Sequence, residues 1–472
     1  MKISIHPFWI VALLCIFAPC RGWAQNVTLI NTYTNPAPAS GDNFGYTVAA
    51  AGNDRVLIGA AFDSAGALYA GSAYLFSTNG ALLTTFTNPT VTADDEFGIA
   101  LAAVGSDRVI IGARSGGARA FYSGVAYLFN TNGTLCMTFT NPTPASDQFG
   151  RAVAAMGNDR VLIGAPFDGT GATDAGAAYL FGTNGALLAT FLNPAPAAED
   201  EFGLILAAAG SDRVLIGTPW DDTGAADSGV MYLFSTNGTL LTTFTNPTPA
   251  SLDCFGASVA AVGNDRVLIG AFGDDTGASS AGAAYLFNTN GTLLITFTNP
   301  TPASSDYFGN AVAALGSDRL LIGADMKNTG ASDAGVVYLF STTGALLTTI
   351  TNPTPAVSDY FGNAMAAVGN DRGLIGAYKD DTGATDAGTA YLFSAPPAVA
   401  PLLSLVNPRW VGTNFTFSFQ TQSDASYTVE YNGDLRTTNW EFCCTMTGNG
   451  SLWPCSIPMT NTAQRFFRVR QP

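Results

Sequence analysis

Short apolar runs of four to seven residues, separated by clusters of Gly, Asn, Asp and Pro, fill residues 26–394 of this 472-residue chain. Between residues 152 and 192 the runs are AVAAM (152–156), RVLIGA (160–165), AAYLF (177–181) and ALLATFL (186–192). The breaks are Gly-Asn-Asp, a Gly/Asp/Thr-rich loop at Phe167–Gly176, and Gly-Thr-Asn-Gly, and Asn-Pro-Ala-Pro closes the unit. Apolar runs this short, bounded by turn residues, predict strands and not helices. The first run is almost all Ala and Val, which suits a strand crowded at an axis. The middle two are apolar on both faces, as strands pressed between neighbouring sheets must be. The fourth, richer in Thr in most copies, tolerates an outer edge.

This unit recurs. A Phe-Gly pair stands at Phe44, Phe97, Phe149, Phe202, Phe255, Phe308 and Phe361, at steps of 52 or 53 residues. Seven copies of four antiparallel strands predict an all-β fold, a seven-bladed β-propeller. The last copy stops after AYLF (390–393) and lacks a fourth strand, whereas NVTLINTYTNPAPAS (26–40) matches the fourth-strand segment of the other copies. The N-terminal strand is therefore expected to complete the last blade and close the ring, which removes exposed sheet edges.

The pattern FGxxVAA…VLIGA…GAAYLF resembles the FG-GAP repeat, the blade unit of integrin α-subunit propellers and of many exported bacterial proteins. The resemblance covers residues 26 to about 394 and all seven copies. It implies a propeller and, in some relatives, a calcium loop of DxDxDG type between the first and second strands. Here that place holds Gly-[Asn/Ser]-Asp-Arg in every copy, with a single carboxylate, so the family's usual calcium site does not carry over.

Composition narrows the chemistry. The first 24 residues have a basic start at Lys2, an apolar run from Phe8 to Ala18 and a small-x-small ending at Gly22–Ala24, which reads as a signal peptide. Nothing later is long and apolar enough for a transmembrane anchor, so the expected location is secreted, at the cell surface or periplasmic. The only histidine, His6, lies in that leader, which removes Ser-His-Asp, Cys-His and His-zinc chemistry from the rest of the chain. Net charge is −16, with 12 basic and 31 acidic residues in 26–402. So acidic a surface repels nucleic acid and anionic membranes.

Two repeated features are candidates for chemistry. The first is the Asp-Arg step after each Gly-[Asn/Ser] turn, with Arg55, Arg108, Arg160, Arg213, Arg266, Arg319 and Arg372. Each Arg would pair with its adjacent Asp or reach a neighbouring blade; the rival reading is a ring of arginines for an anionic ligand. The second is the loop between the second and third strands, where Asp221, Asp222 and Asp227, Asp274 and Asp275, and Asp380, Asp381 and Asp386 surround a central Gly. These would suit calcium, or serve as Asx turns. No catalytic residue stands out, because each acid has near-copies in other repeats, and no cofactor is required.

A Pro/Ala linker (395–402) leads to residues 403–472, where alternating strands at 415–420, 426–432, 440–446 and 465–470 predict a small β-sandwich. Cys455 is placed to form a disulfide with Cys443 or Cys444. The whole reads as a monomeric, non-catalytic binding or adhesion scaffold whose partner is a protein or polysaccharide at the cell surface. The competing readings are a glycosidase or lyase built on paired carboxylates, and a purely structural envelope or matrix protein.

Overall fold

The computed structural model describes residues 27–116, 122–143, 145–395, 405–421, 426–433, 436–437, 439–448, 452–458 and 466–470. The expected signal segment and most of the expected linker lie outside these. The chain divides into two compact units, Val27–Ala398 and Val399–Pro472. No helix occurs among the described residues.

Within Val27–Ala398 the strands form seven four-stranded antiparallel sheets, the arrangement of propeller blades. In the third repeat, Val153–Met156, Arg160–Ala165, Ala177–Gly182 and Leu187–Leu192 lie side by side in chain order. The Gly-Asn-Asp segment makes the tight turn between the first two, with Gly157 at φ +63°. Second and third strands are buried along nearly their whole length. Outer strands bury one side chain each, the fifth in the run: Phe86, Phe139, Phe191, Phe244, Phe297 or Ile350. That side chain packs across to the next sheet, as Phe86 does on Phe129 at a ring separation of 5.4 Å. Each fully buried Phe contributes about 1.5–3 kcal/mol.

The last sheet is completed from the other end of the unit. Leu29–Thr34 pairs antiparallel with Thr389–Ser394, outside Arg372–Ala377 and Met365–Val368. Its Tyr33 fills the outer-strand position and packs on Phe76 of the first sheet at 5.3 Å. Tyr33, Phe44, Val56, Leu374 and Leu392 share one core cluster, which joins the first sheet to the last.

A second junction fixes one repeat on the next. The amide of each FG phenylalanine donates to a carbonyl of the preceding repeat, as Phe97 to Ala70 at 3.0 Å; Phe44 donates to Ala387 of the last repeat at 2.9 Å. The glycine beside that carbonyl has no room for a side chain: a Cβ on Gly388, at φ +85°, would stand 2.1 Å from the Phe44 carbonyl oxygen. The FG pairs sit at one end of the innermost strands, the FG end. The Gly-Asn-Asp turns sit at the other.

Val399–Pro472 holds two three-stranded sheets: Leu405–Val411, Asn414–Gln420 and Leu452–Pro458 in one, Glu441–Thr447, Ser426–Asn432 and Phe466–Arg470 in the other. Phe415, Phe417, Phe419, Tyr427, Val429 and Ile457 form their shared core. The strands at 405–411 and 452–458 went unread in the sequence. Cys455 is buried there with Cys443 and Cys444 packed against the cluster. It carries a free thiol, so the bridge expected from it is not made in this structure. Burial and the neighbouring sulfurs push that thiol up to about 12.

Candidate functional site

The repeated Asp-Arg step is architecture at the turn end. The second guanidinium nitrogen of Arg55 donates to the Ser106 carbonyl of the next repeat at 2.5 Å, Arg160 to Ser211 at 2.6 Å, Arg213 to Asn264 at 2.5 Å and Arg266 to Ser317 at 2.6 Å. Arg108 reaches Asn158 and Arg319 reaches Asn370 in the same way. Arg372, in the last repeat, donates to Asn53 of the first at 2.5 Å. Each Arg also lies 3.4–3.7 Å from the Asp before it. Both pairings read from the sequence therefore occur in one side chain, and the guanidinium is engaged between repeats.

Six of the eight calcium candidates accept local hydrogen bonds, while Asp227 and Asp386 take part through their backbone amides. Asp221, Asp274 and Asp380 are buried, and one oxygen of each accepts the amide of Thr223, Thr276 or Thr382 at 2.8–2.9 Å. The other oxygen of Asp274 and of Asp380 accepts a tyrosine hydroxyl, from Tyr285 and Tyr391. Asp222, Asp275 and Asp381 accept the amides of Asp227, Ser280 and Asp386 at 2.8–2.9 Å. The first set are Asx-type turns, and the second close the loop five residues on. Among the described residues no three of His, Cys, Asp and Glu gather to hold a metal ion.

The loop aspartates have a partner that the sequence did not suggest. Two residues before each FG phenylalanine stands a buried Asp (Asp42, Asp95, Asp147, Asp200, Asp253, Asp306, Asp359), which accepts an asparagine side-chain N–H at 2.5–2.7 Å. In five repeats it faces the loop Asp: Asp42 with Asp63, Asp147 with Asp168, Asp200 with Asp221, Asp253 with Asp274, and Asp359 with Asp380. Burial first, helped by the facing carboxylate, pushes Asp147 and Asp359 up to about 6. Asp168 moves the other way. Burial works to raise it, but Thr170, Tyr179 and Thr143 all donate to it and hold it below the usual range. In the sixth repeat Lys327 takes the loop position, and its ammonium lies 2.8 Å from Asp306. In the second repeat Gly116 takes it.

Residues that differ from repeat to repeat collect at the FG end. Immediately after the FG pair stand Tyr46, Ile99, Arg151, Leu204, Ala257, Asn310 and Asn363; just after the second strand stand Ala61, Arg114, Pro166, Pro219, Phe272, Asp325 and Tyr378. Arg114 holds Glu96 through two nitrogens, at 2.5 and 2.8 Å. Burial lowers Arg151, whose charge acts within reach of Tyr46, Arg114, Glu96 and Glu201. Glu201 is raised by burial and accepts the Trp220 indole N–H. Tyr46 meets Tyr378 edge to face at 5.3 Å, Tyr378 stacks on Tyr360 at 5.4 Å, and Lys379 lies over both of the latter rings. Asp325 completes the set. It is 5% exposed, one oxygen accepts from Asn310 at 3.0 Å, and burial pushes it up to about 7. Its other oxygen meets no donor in hydrogen-bond geometry, although its own amide and that of Met326 lie near enough to temper the shift.

These residues overturn one expectation. Acids were read as copied between repeats, yet Asp325 has no counterpart in its column, and Glu96 and Glu201 match only each other. Aligning the repeats and asking which columns vary is the signal that would have found them. Which end of the strands those columns share is visible only in three dimensions.

Four-stranded antiparallel sheets repeated along the chain, with engaged repeat residues at one end and divergent ones at the other, define a propeller-type repeat protein. The model of the FG-GAP repeat matches residues 34–76, 143–181, 242–287, 296–340 and 348–393. The chain is an FG-GAP repeat protein. No curated protein matches it in sequence. Among solved structures it is similar to the GH74 xyloglucanase from Xanthomonas campestris (14% identity, 84% of this chain and 60% of that one, TM-score 0.49). It is also similar to BBS1N in complex with ARL6DN (11%, 79% and 98%, TM-score 0.44) and to a protein of unknown function from Dyadobacter fermentans (9%, 78% and 99%, TM-score 0.42). Likeness at this level says nothing of what this chain binds.

Proposed function

We propose that this protein is an exported, non-catalytic binding scaffold: a seven-bladed propeller, closed by its N-terminal strand, that recognises a protein or polymer ligand of the cell surface at the FG end of its axis. The supporting observation is the collection of divergent residues there. Side chains copied in every blade serve the joints between blades, whereas Tyr46, Arg151, Glu201, Asp325 and Tyr378 come from five different blades and form one asymmetric surface. A recognition site needs such asymmetry; a purely structural ring does not.

The test is binding of the purified mature chain to whole cells and to their isolated surface-polymer and surface-protein fractions. Tyr46→Ala and Tyr378→Ala should each weaken binding at least tenfold. Leu241→Ser, on an exposed outer strand, should leave it unchanged. Binding that survives both tyrosine substitutions overturns the assignment of this end.

A second reading has its own observation, the unmatched acids Asp325, Glu96 and Glu201. A glycosidase or lyase would release reducing or unsaturated ends from a surface polysaccharide, and Asp325→Asn would abolish that release.

A further inference from the structure

We infer that the ligand of the FG end is a neutral polysaccharide chain, seated on a run of aromatic rings beside Asp325. This rests on the reading of that end as the recognition site.

The rings form a continuous path through the last and first repeats. Tyr360 stacks on Tyr378 with an interplanar angle of 14°, and Tyr378 meets Tyr46 at 85°. Tyr46 in turn meets Phe62 at 5.8 Å, and Phe62 meets Tyr69 at 5.8 Å, the latter ring 41% exposed. No other pair of successive blades has this run among the described residues: where Tyr46 stands, the other copies have Ile99, Arg151, Leu204, Ala257, Asn310 and Asn363. The rings are therefore not a requirement of the fold. Rings in file offer apolar faces interrupted by hydroxyls, which suits a ligand with alternating C–H faces and polar edges.

The polar groups beside the path call for donors. One oxygen of Asp325 is enclosed and meets no donor in hydrogen-bond geometry, with its own amide and that of Met326 nearby, and the carboxylate's charge acts on the Tyr378 hydroxyl. The side-chain oxygens of Asn363 and Asn43, flanking Tyr46 from the last and first repeats, are also enclosed and without a partner. Acceptors left unmet beside the path favour a ligand rich in O–H groups over one without donors.

Charge selects against the alternatives. The chain carries −16 overall, and Arg114, Arg151 and Lys379 at this end are outnumbered by Glu96, Glu201, Asp325 and the aspartates before each FG pair. An anionic polymer is therefore repelled, and the Lys379 ammonium over Tyr360 and Tyr378 opposes a cationic one. A lipid surface has too few donors. Sugar hydroxyls and ring faces meet every requirement.

Affinity electrophoresis of the full mature chain tests this, in native gels containing β-1,3-glucan, galactomannan, hydroxyethylcellulose or soluble starch, with alginate and chitosan as charged comparisons. At least one neutral polymer should retard the protein. Tyr378→Ala and Tyr46→Ala should raise the polymer concentration for half-retardation at least tenfold, and Asp325→Asn about threefold or more, at unchanged melting temperature. Leu241→Ser should migrate as the parent protein does. Should no neutral polymer retard the chain while the tyrosine variants still lose cell-surface binding, the carbohydrate inference falls and the binding site stands. Retardation that both tyrosine variants retain overturns the seat itself.

Discussion

Replacing Asp147 with Asn should stabilise the protein at alkaline pH and not at acid pH. Asp147 is 4% exposed and faces Asp168, and its carboxyl is raised from 3.8 to about 6. An acid whose folded-state value lies above its unfolded value favours the folded state most when protonated. That contribution is complete below pH 3.8 and is lost as pH rises through about 6. At roughly 1.4 kcal/mol for each unit, the ionised carboxylate costs about 3 kcal/mol above pH 7. Asn keeps the size and one acceptor oxygen for the Asn141 N–H, and it cannot ionise. Urea denaturation at pH 8 should therefore show Asp147→Asn more stable than the parent by up to about 3 kcal/mol, with the difference falling to about 1 kcal/mol near pH 4.5 and vanishing below about pH 3.

The sixth repeat supplies the opposite case. There Asp306 faces the ammonium of Lys327 at 2.8 Å, and both side chains are largely buried. Asp306→Asn leaves a buried cation without its partner and should destabilise by about 3–5 kcal/mol at pH 8. The two substitutions are chemically identical, so they must differ in sign if the facing residue decides. A loss of stability of similar size in both, unchanged between pH 4.5 and 8, would refute the reasoning.

Arg372→Ala removes the bond from the last repeat to the Asn53 carbonyl of the first; a loss of about 1–3 kcal/mol is expected from thermal melting, and no loss would mean that the joint does not hold the ends together. Calcium at millimolar concentration, or its removal with EDTA, should move the melting temperature by less than about 1 °C, since Asp221, Asp274 and Asp380 are bonded within their own loops; a larger rise would restore those loops as a metal site. Iodoacetamide should label Cys136, which is exposed, well before Cys254 and Cys455, whose buried thiols are both pushed up to about 12; peptide mass spectrometry reads the order, and early labelling of Cys455 would refute its burial.

What was legible in the sequence is what periodicity carries. Steps of 52 or 53 residues between FG pairs, and the match of residues 26–40 to the outer-strand segment, led to the repeated sheets and to the pairing of Leu29–Thr34 with Thr389–Ser394. The Gly-Asn-Asp turn was equally plain, because its geometry is local. Partners across space left no such trace. The carbonyl that Arg372 reaches belongs to residue 53, and a backbone acceptor has no sequence signature. Asp147 and Asp168 stand 21 positions apart and face one another only because the second-to-third-strand loop folds over the segment before the FG pair. Tyr46 and Tyr378, 332 positions apart, meet through the junction of last repeat on first.

The two repeats without an aspartate pair are also the two that place a charge just after the second strand. The second repeat has Gly116 in the loop and Arg114 after the strand; the sixth has Lys327 and Asp325. In the other five that position is Ala61, Pro166, Pro219, Phe272 or Tyr378, all uncharged. Electrostatics accounts for the exclusion. A pair such as Asp147 and Asp168 already holds one carboxyl at about 6, and a third enclosed charge would add a desolvation cost of several kcal/mol. With Lys327 neutralising Asp306, the sixth repeat can enclose Asp325 and still leave one of its oxygens unpartnered. With no loop acid at all, the second can hold the Arg114–Glu96 pair. Loss of the loop acid thus makes room for a charge just after the second strand, at Arg114 and Asp325, whereas Arg151, Glu201 and Lys379 stand at other positions in blades that keep the pair.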